Sequence, residues 1–435
     1  MPAFCSWGNY PATAQHGVLL ANRHSALPVD QGSLLPFGNG RSYGDVCLNP
    51  GGAVVGSRQL NRFMAFDESS GVLRCEAGIL LADILHCFVP KGWFLPVTPG
   101  TKYVSVGGAI ANDVHGKNHH AVGTFGCFVE GFELLRTDGS RQYCSLQQNE
   151  ALYRASIGGM GLTGFITWAD IRLRRVSGST MNEETIRFSR LDDFFSVSAD
   201  SASHEYTVAW VDCAASGESL GRGLFMRANH ADTENIAVKA KQRSLSVPVM
   251  PPVSLVNNWS LRAFNALYYR APRQNRVSRQ VHYDPYFYPL DSIANWNRMY
   301  GPKGFLQYQC AIPTDAGKEA IRAILKRIAN SGTGSFLAVL KVFGDIASPG
   351  LVSFPMPGVT LALDFPNHGE KTQMLFKRLD EIVDAAGGRF YSAKDAHVSA
   401  QQFQAAYPAW EQLEALRDPG IMSGFWARVS GKAGD

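Results

Sequence analysis

Three glycine-rich stretches in the first 164 residues have the residue types needed to hold a phosphate-bearing ligand. They read PFGNGRSYGDV at 36–46, PGTKYVSVGG at 99–108 and SIGGMGLTG at 156–164. Glycine permits positive φ and lets a ligand approach the main chain, so such loops can present several N–H donors to one anion. A single loop of this kind is equally an ordinary hairpin corner. Three of them favour a long ligand with a diphosphate in its middle.

The first loop matches neither of the common phosphate-binding patterns. It lacks GxxxxGK[ST], and it has no GxGxxG at a strand-to-helix junction. The phosphate sites that depend on a helix dipole therefore do not apply to it.

The histidines at 115, 119 and 120 raise the alternative of a metal site. Histidines four residues apart can share a helix face and bind one ion. The glycines around HGKNHH argue against such a helix, and no carboxylate cluster completes a ligand set. We therefore expect no metal.

Three further polar residues are open to two interpretations each. In FLQYQCAIP, the alternation of a β-strand places Gln307 and Gln309 on the same face. That face is either a binding surface or an ordinary solvent-exposed face of a sheet. Lys394 of YSAKD, taken alone, would be a solvated lysine in a helical tail.

The elements that must position these residues fall into three parts, which together predict an α+β fold. Residues 1–178 alternate short β-rich runs with glycine turns around one helical stretch, LLADILHCFVPKG. Residues 179–388 add strands such as YTVAWVDC and GVTLALDF, with two amphipathic helices that end in SG and GG. Residues 389–435 have a helical pattern and are expected to pack back on the first part.

Composition excludes several classes of protein. The 435 residues are 45% hydrophobic and 18% charged, as in a folded globular protein, and no run of apolar residues is long enough for a transmembrane helix. The start of the sequence lacks the pattern of a signal peptide, and eight scattered cysteines suggest reduced thiols, so we expect a cytoplasmic protein. A net charge of +4 does not indicate a nucleic-acid partner.

Several of these motifs together resemble one enzyme family. GNGRSYGD, PGTKYVSVGGAIANDVHGKNHH, GGMGLTG, FLQYQ and YSAKD are similar to the flavin-dependent decaprenylphosphoryl-β-D-ribose 2-oxidases, part of the vanillyl-alcohol-oxidase group. The resemblance implies a two-subdomain PCMH-type FAD-binding domain at 1–178 and a sheet-based substrate or cap domain at 179–388. It also implies that residues 389–435 return to the FAD-binding domain.

The same resemblance implies which residues contact FAD. The implied contacts are Pro36, Phe37, Gly38, Asn39, Gly40, Arg41, Ser42, Tyr43, Gly44, Asp45 and Val46 around the diphosphate, then Gly100, Thr101, Ser105, Val106, Gly107 and Gly108, then His115, Gly116, Lys117 and Asn118 beside the flavin, and finally Ile166 and Tyr391. Relatives in the wider group attach the flavin through a histidine after the Arg-Ser pair. Tyr43 stands there in this sequence, so we expect non-covalent FAD.

The implied substrate pocket lies on the second and third parts of the chain. Lys394 matches the family's active-site lysine, and His115 is a second candidate for a catalytic role. Gln307, Gln309 and Lys341 match residues that hold the substrate. Actinobacterial members carry a cysteine where Ala362 stands here and an asparagine where Thr360 stands. We therefore expect thiol-directed inhibitors of those enzymes to form no adduct with this protein.

Residues 235–283 carry eight arginines and lysines and no acidic residue, interleaved with aromatic and apolar side chains. Such a stretch suits the surface of an anionic membrane or a polyprenyl phosphate. It is equally consistent with a surface loop whose charges are solvated. Peripheral contact with the inner membrane is thus an expectation.

The resemblance predicts oxidation of the 2-hydroxyl of a polyprenylphosphoryl-β-D-ribofuranose to a 2-keto sugar. A separate NAD(P)H-dependent keto-reductase would then complete epimerisation to the arabinose donor. One alternative is an oxidase of free sugars, alditols or aldonolactones. An alternative of another class is a non-catalytic flavoprotein subunit of a membrane glycan complex.

Overall fold

A computed structural model of the chain describes residues 4–232 and 245–431. Its strands are β1 (His16–Leu19), β2 (Leu34–Phe37), β3 (Ala53–Gly56), β4 (Phe63–Asp67), β5 (Val72–Glu76), β6 (Trp93–Phe94), β7 (Val129–Leu135), β8 (Arg141–Cys144), β9 (Phe165–Arg172), β10 (Arg174–Arg175), β11 (Thr180–Phe188), β12 (Tyr206–Val211), β13 (Gly223–His230), β14 (Leu245–Ser246), β15 (Arg276–His282), β16 (Ile293–Ala294), β17 (Phe305–Pro313), β18 (Ala338–Phe343), β19 (Gly358–Pro366) and β20 (Arg389–Phe390).

The helices complete an α+β architecture. They are α1 (Leu81–Phe88), α2 (Val106–Ala111), α3 (His119–Val122), α4 (Glu150–Ser156), α5 (Leu191–Ala199), α6 (Asn258–Arg270), α7 (Tyr283–Phe287), α8 (Thr314–Ser331), α9 (Glu370–Ala385), α10 (Ala400–Ala406), α11 (Trp410–Leu416) and α12 (Gly424–Ser430). Short 3-10 turns lie at Val29–Gln31, Val89–Lys91, Phe125–Phe128, Gly217–Ser219, Pro289–Ser292 and Trp296–Tyr300.

The first lobe, residues 4–178, contains two main sheets. A parallel sheet has the strand order β1-β3-β2, and a five-stranded antiparallel sheet has the order β4-β5-β9-β7-β8. Strand β3 is central in its sheet and buried along its whole length, which explains the unbroken apolar run AVVG. The glycine-rich loop 38–46 follows directly from β2.

The second lobe is built on a larger antiparallel sheet. Among the described residues its order is β15-β11-β13-β12-β18-β19-β17-β20. Helix α8 buries Ile321, Ile324, Leu325 and Ile328, at the three- and four-residue spacing of an amphipathic helix. It ends at Gly332, whose φ of +70° suits glycine. Helices α8 and α9 pack beside β17, and this leaves the opposite face of the sheet for the first lobe.

The C-terminal segment returns to the first lobe. Leu34 of β2 donates its N–H to Gly420 and accepts one from Met422, so this segment runs alongside β2. Trp426 of α12 is fully buried against Phe403 of α10. The segment thus closes the first lobe.

The expectation of a helix at YSAKD is wrong. Residues 392–394 form a turn, in which the N–H of Lys394 donates to Tyr391, and the first helix of the segment begins at Ala400. The carboxylate of Asp395 accepts the N–H groups of His397 and Val398, and such side-chain bonds compete with helix formation.

Candidate active site

A cavity of about 540 Å³ lies between the two lobes. The first lobe lines it with its glycine-rich loops and with residues around His115. The second lobe contributes the face of β17, β18 and β19 that is turned away from α8 and α9, and the turn at Lys394 closes one side. The cavity therefore gathers groups from all three parts of the chain.

The loop after β2 is held by the returning C-terminal segment. Gly44 has a φ of +56°, and a Cβ added there would lie 1.7 Å from the carbonyl oxygen of Asp395. The N–H of Tyr43 donates to the carbonyl of Ala393 at 2.8 Å. Only glycine fits at position 44, because both the backbone angle and the close contact exclude a side chain.

Arg41 supplies a cation with unused hydrogen-bonding capacity. Its guanidinium lies 4.1 Å from the centroid of the Trp7 ring, and burial lowers its pKa, with Asp291 opposing this effect. Its buried Nε has no hydrogen-bond partner among the described residues. A half-buried arginine with a buried, unused Nε donor suits an anionic group of a ligand.

The second loop, residues 99–108, is fixed from both lobes. Asp291 accepts the hydroxyl of Thr101 at 2.8 Å and the N–H of Lys102 at 2.9 Å. Ser105 caps α2 by accepting the N–H of Gly108. No atom lies within 4 Å of a Cβ placed on Gly100, so the cavity side of this loop is open to a ligand.

His115 is a neutral imidazole in an aromatic pocket. It packs against Phe343, Phe354 and Tyr391, with ring centroids 5.0–5.5 Å apart. Burial lowers its pKa well below the ordinary value, and the charge of Lys341 adds to the effect.

The tautomer of His115 follows from its one polar contact. The side-chain amide nitrogen of Gln309 lies 3.1 Å from Nε2, and because an amide nitrogen donates, Nε2 accepts. The proton of the neutral ring then lies on Nδ1, which is buried and has no partner in the described parts of the chain. His115 is therefore arranged to donate a hydrogen bond into the cavity.

The cap sheet presents a polar face in strand register. Gln309 of β17 lies opposite Ala362 of β19, and Thr360 lies opposite Lys341 of β18. Alternation along each strand places Gln307 with Gln309, and Thr360 with Ala362, on the cavity side. Both glutamines are buried, so this is not an ordinary solvent-exposed face of a sheet.

The half-buried amine of Lys394 and the buried carboxyl of Asp364 lie close enough to influence each other's pKa. The Lys394 ammonium lies 3.9 Å from the centroid of the Tyr43 ring. Gln307 donates to Asp364 Oδ1 at 2.5 Å, while Oδ2 has no hydrogen-bond partner among the described residues. Burial lowers the pKa of Lys394 and raises that of Asp364, and the attraction between the two groups opposes both shifts. Burial is the larger effect, so it brings the pKa values of both groups closer to neutral pH.

Lys341 is a second amine in the cavity wall. Its Nζ lies 3.5 Å from the carbonyl oxygen of Gly116. Burial lowers its pKa to about 8. The group still carries positive charge at neutral pH and can accompany an anionic ligand.

Most of the predicted site residues line this cavity, and six do not. The six are Gly44, Asp45, Val106, Gly116, Lys117 and Asn118. Asp45 binds Arg428, Lys117 reaches the carbonyl of Tyr286, and Asn118 donates to Pro96. These side chains do not line the cavity but hold in place the segments that form its wall.

Sequence reasoning missed Asp364, Asp291 and Trp7. Asp364 had a signal, because a single carboxylate within the apolar run VTLALDF is unusual in a buried strand. Asp291 and Trp7 had none, since their roles depend on contacts between distant parts of the chain. Within the described residues, no three His, Cys, Asp or Glu side chains cluster as metal ligands would.

Comparison with known proteins decides the family. A family model described as an FAD binding domain matches residues 21–145. The chain is 34% identical over 408 residues to decaprenylphosphoryl-β-D-ribose oxidase of Mycolicibacterium smegmatis, covering 90% of this chain and 87% of that protein.

The chain belongs to the decaprenylphosphoryl-β-D-ribose oxidase family.

Other relatives extend the comparison. An uncharacterized protein encoded in the mprA 5′ region of Streptomyces coelicolor is 32% identical over 355 residues, covering 78% of this chain and 95% of that protein. Human Δ(24)-sterol reductase is 29% identical over 107 residues, which is 25% of this chain and 21% of the reductase. Similarity to the reductase is thus limited to a short part of each chain.

As a member of the decaprenylphosphoryl-β-D-ribose oxidase family, the protein is an FAD-dependent oxidoreductase of α+β fold. The cavity fits this cofactor. Its open glycine loops leave room for a diphosphate, and Arg41 Nε and His115 Nδ1 are buried donors without a partner among the described residues. The predicted family, fold class, enzyme class and cofactor are confirmed.

Proposed function

We propose that the protein oxidises the 2-hydroxyl of a polyprenylphosphoryl-β-D-ribofuranose to the 2-keto sugar. The observation that carries the proposal is the amphiphilic cavity. Its cap-sheet wall carries Gln307, Gln309 and Lys341, whereas Leu290, Ile293 and Trp296 make another part of the wall apolar. A polar sugar phosphate joined to an apolar chain matches both parts. Similarity to the mycobacterial oxidase over 87% of its length supports the same substrate class.

The chain's own groups account for the proton that leaves the hydroxyl. Bound FAD supplies a hydride acceptor for the carbinol carbon. Lys394 is the residue that we assign as proton acceptor, because burial lowers its pKa and increases the fraction of neutral amine. His115 is assigned a different role, since Gln309 occupies the Nε2 lone pair and leaves only the Nδ1 donor. His115 therefore holds a ligand oxygen or nitrogen in place.

Charge in the wall favours a phosphorylated sugar over a free polyol. Lys341 is a half-buried cation in the cap-sheet wall, and a cation held partly out of water is stabilised by an anionic partner. A neutral sugar would leave it without one. We expect FAD to be bound without a covalent link, because Tyr43 offers no imidazole nitrogen.

The test is the bleaching of the oxidised-flavin absorbance band after anaerobic mixing with substrate. A short-chain prenylphosphoryl-β-D-ribose should bleach the flavin rapidly, and free ribose and alditols should not. Bleaching by free polyols alone would show that the protein is an oxidase of free sugars or alditols. If no sugar reduces the flavin, the result would favour the non-catalytic flavoprotein subunit.

Lys394→Ala is the decisive variant. We expect it to keep its FAD and to slow flavin reduction by at least about 100-fold, the usual contribution of a positioned proton acceptor. Lys377→Ala, an exposed lysine of α9, is the matched control and should reduce at the wild-type rate. Equal rates for the two variants would exclude Lys394 as the proton acceptor.

A 2-keto sugar has no stereochemistry at the oxidised carbon, so inversion needs a second hydride transfer. We propose a separate NAD(P)H-dependent keto-reductase as the partner enzyme. Incubation of the product with this protein and NADPH alone should yield no arabinose sugar, and formation of one would overturn the requirement for a partner.

A further inference from the structure

Exposed large apolar side chains are concentrated in one stretch of the second lobe, residues 245–273, which we name the basic apolar face. Of the 15 large apolar side chains exposed in the described chain, nine lie in this range. They are Leu245, Val249, Met250, Val253, Leu255, Trp259, Phe264, Leu267 and Tyr268. Such a concentration of exposed apolar side chains usually marks a contact with a protein or a membrane.

Helix α6 carries apolar residues on its outer side as well as its inner side. Its buried residues are Leu261 and Asn265, and Asn265 donates to Asp212 at 2.8 Å. Trp259 and Leu267 lie on the opposite side and are 86% and 73% exposed. Residues 259, 263 and 267 follow one stripe at four-residue spacing. The outer stripe contributes nothing to the core, so its apolar character needs another explanation.

Three arginines on the same face have no ion-pair partner among the described residues. Arg262, Arg270 and Arg273 are exposed, and the hydrogen bonds of the first two go to neutral oxygens. Two further arginines in the range predicted from sequence, Arg276 and Arg279, bind Glu184 and Glu183 and are neutralised. Lys239, Lys241 and Arg243 lie outside the described residues.

The face is continuous with the apolar side of the cavity. Strand β14 pairs in parallel with β16, and both residues of β16, Ile293 and Ala294, line the cavity. Arg298 holds the same segment by donating to the carbonyls of Val247 and Pro248. A surface that contacts the face thus lies beside the cavity mouth.

We propose that the basic apolar face docks on an anionic lipid bilayer. Unpaired arginines beside exposed tryptophan and leucine match the charged headgroups and the apolar interior of such a surface. A second copy of the chain fits less well, because residues 245–273 contain no acidic residue and a two-fold contact through them would bury the arginines of both copies without a counter-charge. No helix in residues 4–232 or 245–431 is long and apolar enough to cross the bilayer, so the contact is peripheral. This inference goes beyond the proposed function and does not depend on it.

The test is flotation of the purified FAD-loaded protein with vesicles of phosphatidylcholine, with and without phosphatidylglycerol. We expect binding to the anionic vesicles, weaker binding as salt is raised, and little binding to the neutral ones. Arg262→Gln with Arg270→Gln should weaken binding at least about tenfold, because each arginine near an anionic surface contributes about 1 kcal/mol. Trp259→Ser with Leu267→Ser should weaken it through the apolar contact.

Matched controls separate this surface from general effects. Leu146→Ser with Met374→Ser removes two exposed apolar groups outside the face and should leave vesicle binding unchanged. All variants should retain FAD and wild-type flavin reduction by a short-chain substrate, so loss of docking and loss of the proposed activity are distinguishable. Failure of the wild type to float with anionic vesicles, or equal flotation of the variants, would overturn the inference. A dimer that the Trp259 and Leu267 substitutions dissociate would assign the face to a second copy instead.

Discussion

At the scale of single residues, the site depends on ionisable groups held out of water. Asp364 is a fully buried carboxyl whose Oδ2 has no hydrogen-bond partner among the described residues, and Lys394 is the nearby amine that influences its pKa. Removal of Lys394 would take away a nearby positive charge, so the pKa of the Asp364 carboxyl should rise further. The pKa of Lys394, the assigned proton acceptor, therefore depends on Asp364, a residue of strand β19 in the cap sheet.

We expect position 362 to determine sensitivity to thiol-directed reagents. Ala362 lines the cavity, and the neighbouring Thr360 hydroxyl donates to the carbonyl of Cys310. Cys47 also lines the cavity, and burial raises its pKa to about 12, which disfavours the thiolate form that reacts with such inhibitors. We expect thiol-directed inhibitors of actinobacterial family members to add no mass to the wild type, and Ala362→Cys to gain one adduct by intact-mass spectrometry. An adduct within the wild-type cavity would contradict this.

At the scale of elements, the glycine-rich loop depends on a segment far along the chain. Tyr43 bonds to Ala393 and Gly44 lies against Asp395, so the loop and the turn at Lys394 form one unit. The turn carries the assigned proton acceptor and the loop carries Arg41. A change in either element should therefore affect cofactor and substrate together.

Gly44→Ala tests this unit. A non-glycine residue at positive φ costs about 1–2 kcal/mol, and forcing a methyl group against Asp395 adds about 1–3 kcal/mol. We expect a lower Tm and loss of FAD, measured by the ratio of flavin to protein absorbance. Gly51→Ala is the control, because Gly51 has a φ of +81° and open space around its Cβ position. Equal effects of both substitutions would show that backbone strain alone matters.

Much of the fold was predictable from local sequence patterns. The alternation in FLQYQCAIP indicated β17, and the periodic apolar residues of 316–332 indicated α8. Helix α6 was not predicted, because Trp259 and Leu267 place apolar residues on its exposed side as well. The sequence of this helix therefore lacks the usual division into an apolar and a polar side. The turn at Lys394 was also missed, since Asp395 stabilises it through side-chain bonds that helix propensity does not reveal.

The site was predictable mainly through family motifs. Lys394, Gln307 and Gln309 could be named from resemblance, whereas the residues alone left each of them with an ordinary alternative. The proximity of Lys394 to Asp364 was not predictable, because it depends on the tertiary packing of the turn at 392–394 near strand β19. Contacts of this kind depend on tertiary packing rather than on local pattern.

At the scale of the whole molecule, one buried ionic cluster joins all three parts of the chain. Arg428 of α12 binds Asp45 of the glycine-rich loop and Asp395 of the turn, each at 2.8 Å. His397 contacts Asp395 and also Asp380 of the cap helix α9. The cluster thus links the cofactor loop, the cap lobe and the C-terminal segment.

This cluster predicts a particular dependence of stability on pH. Burial alone would lower the pKa of His397, but Asp395 and Asp380 raise it to about 9. Because this value exceeds the unfolded value of about 6.5, the stabilisation is complete below pH ~6.5 and is lost as pH rises through about 9. The shift corresponds to about 3 kcal/mol of unfolding free energy.

We expect His397→Gln to lower Tm strongly at pH 6 and much less at pH 10. Thermal unfolding followed by intrinsic fluorescence across this range is the measurement. His24→Gln, at an exposed position, is the control and should change Tm little at either pH. A Tm difference for His397→Gln that is independent of pH would show that the residue contributes packing rather than charge.

The bond between Asp45 and Arg428 spans 383 residues of chain, and this has a consequence for biosynthesis. At about 5–20 residues per second, a ribosome makes Arg428 roughly 20–80 s after Asp45. During that interval the glycine-rich loop lacks the turn and the helix that hold it. We therefore expect cofactor loading to follow synthesis of the C-terminal segment, so that FAD content reports whether a chain has been made through to α12.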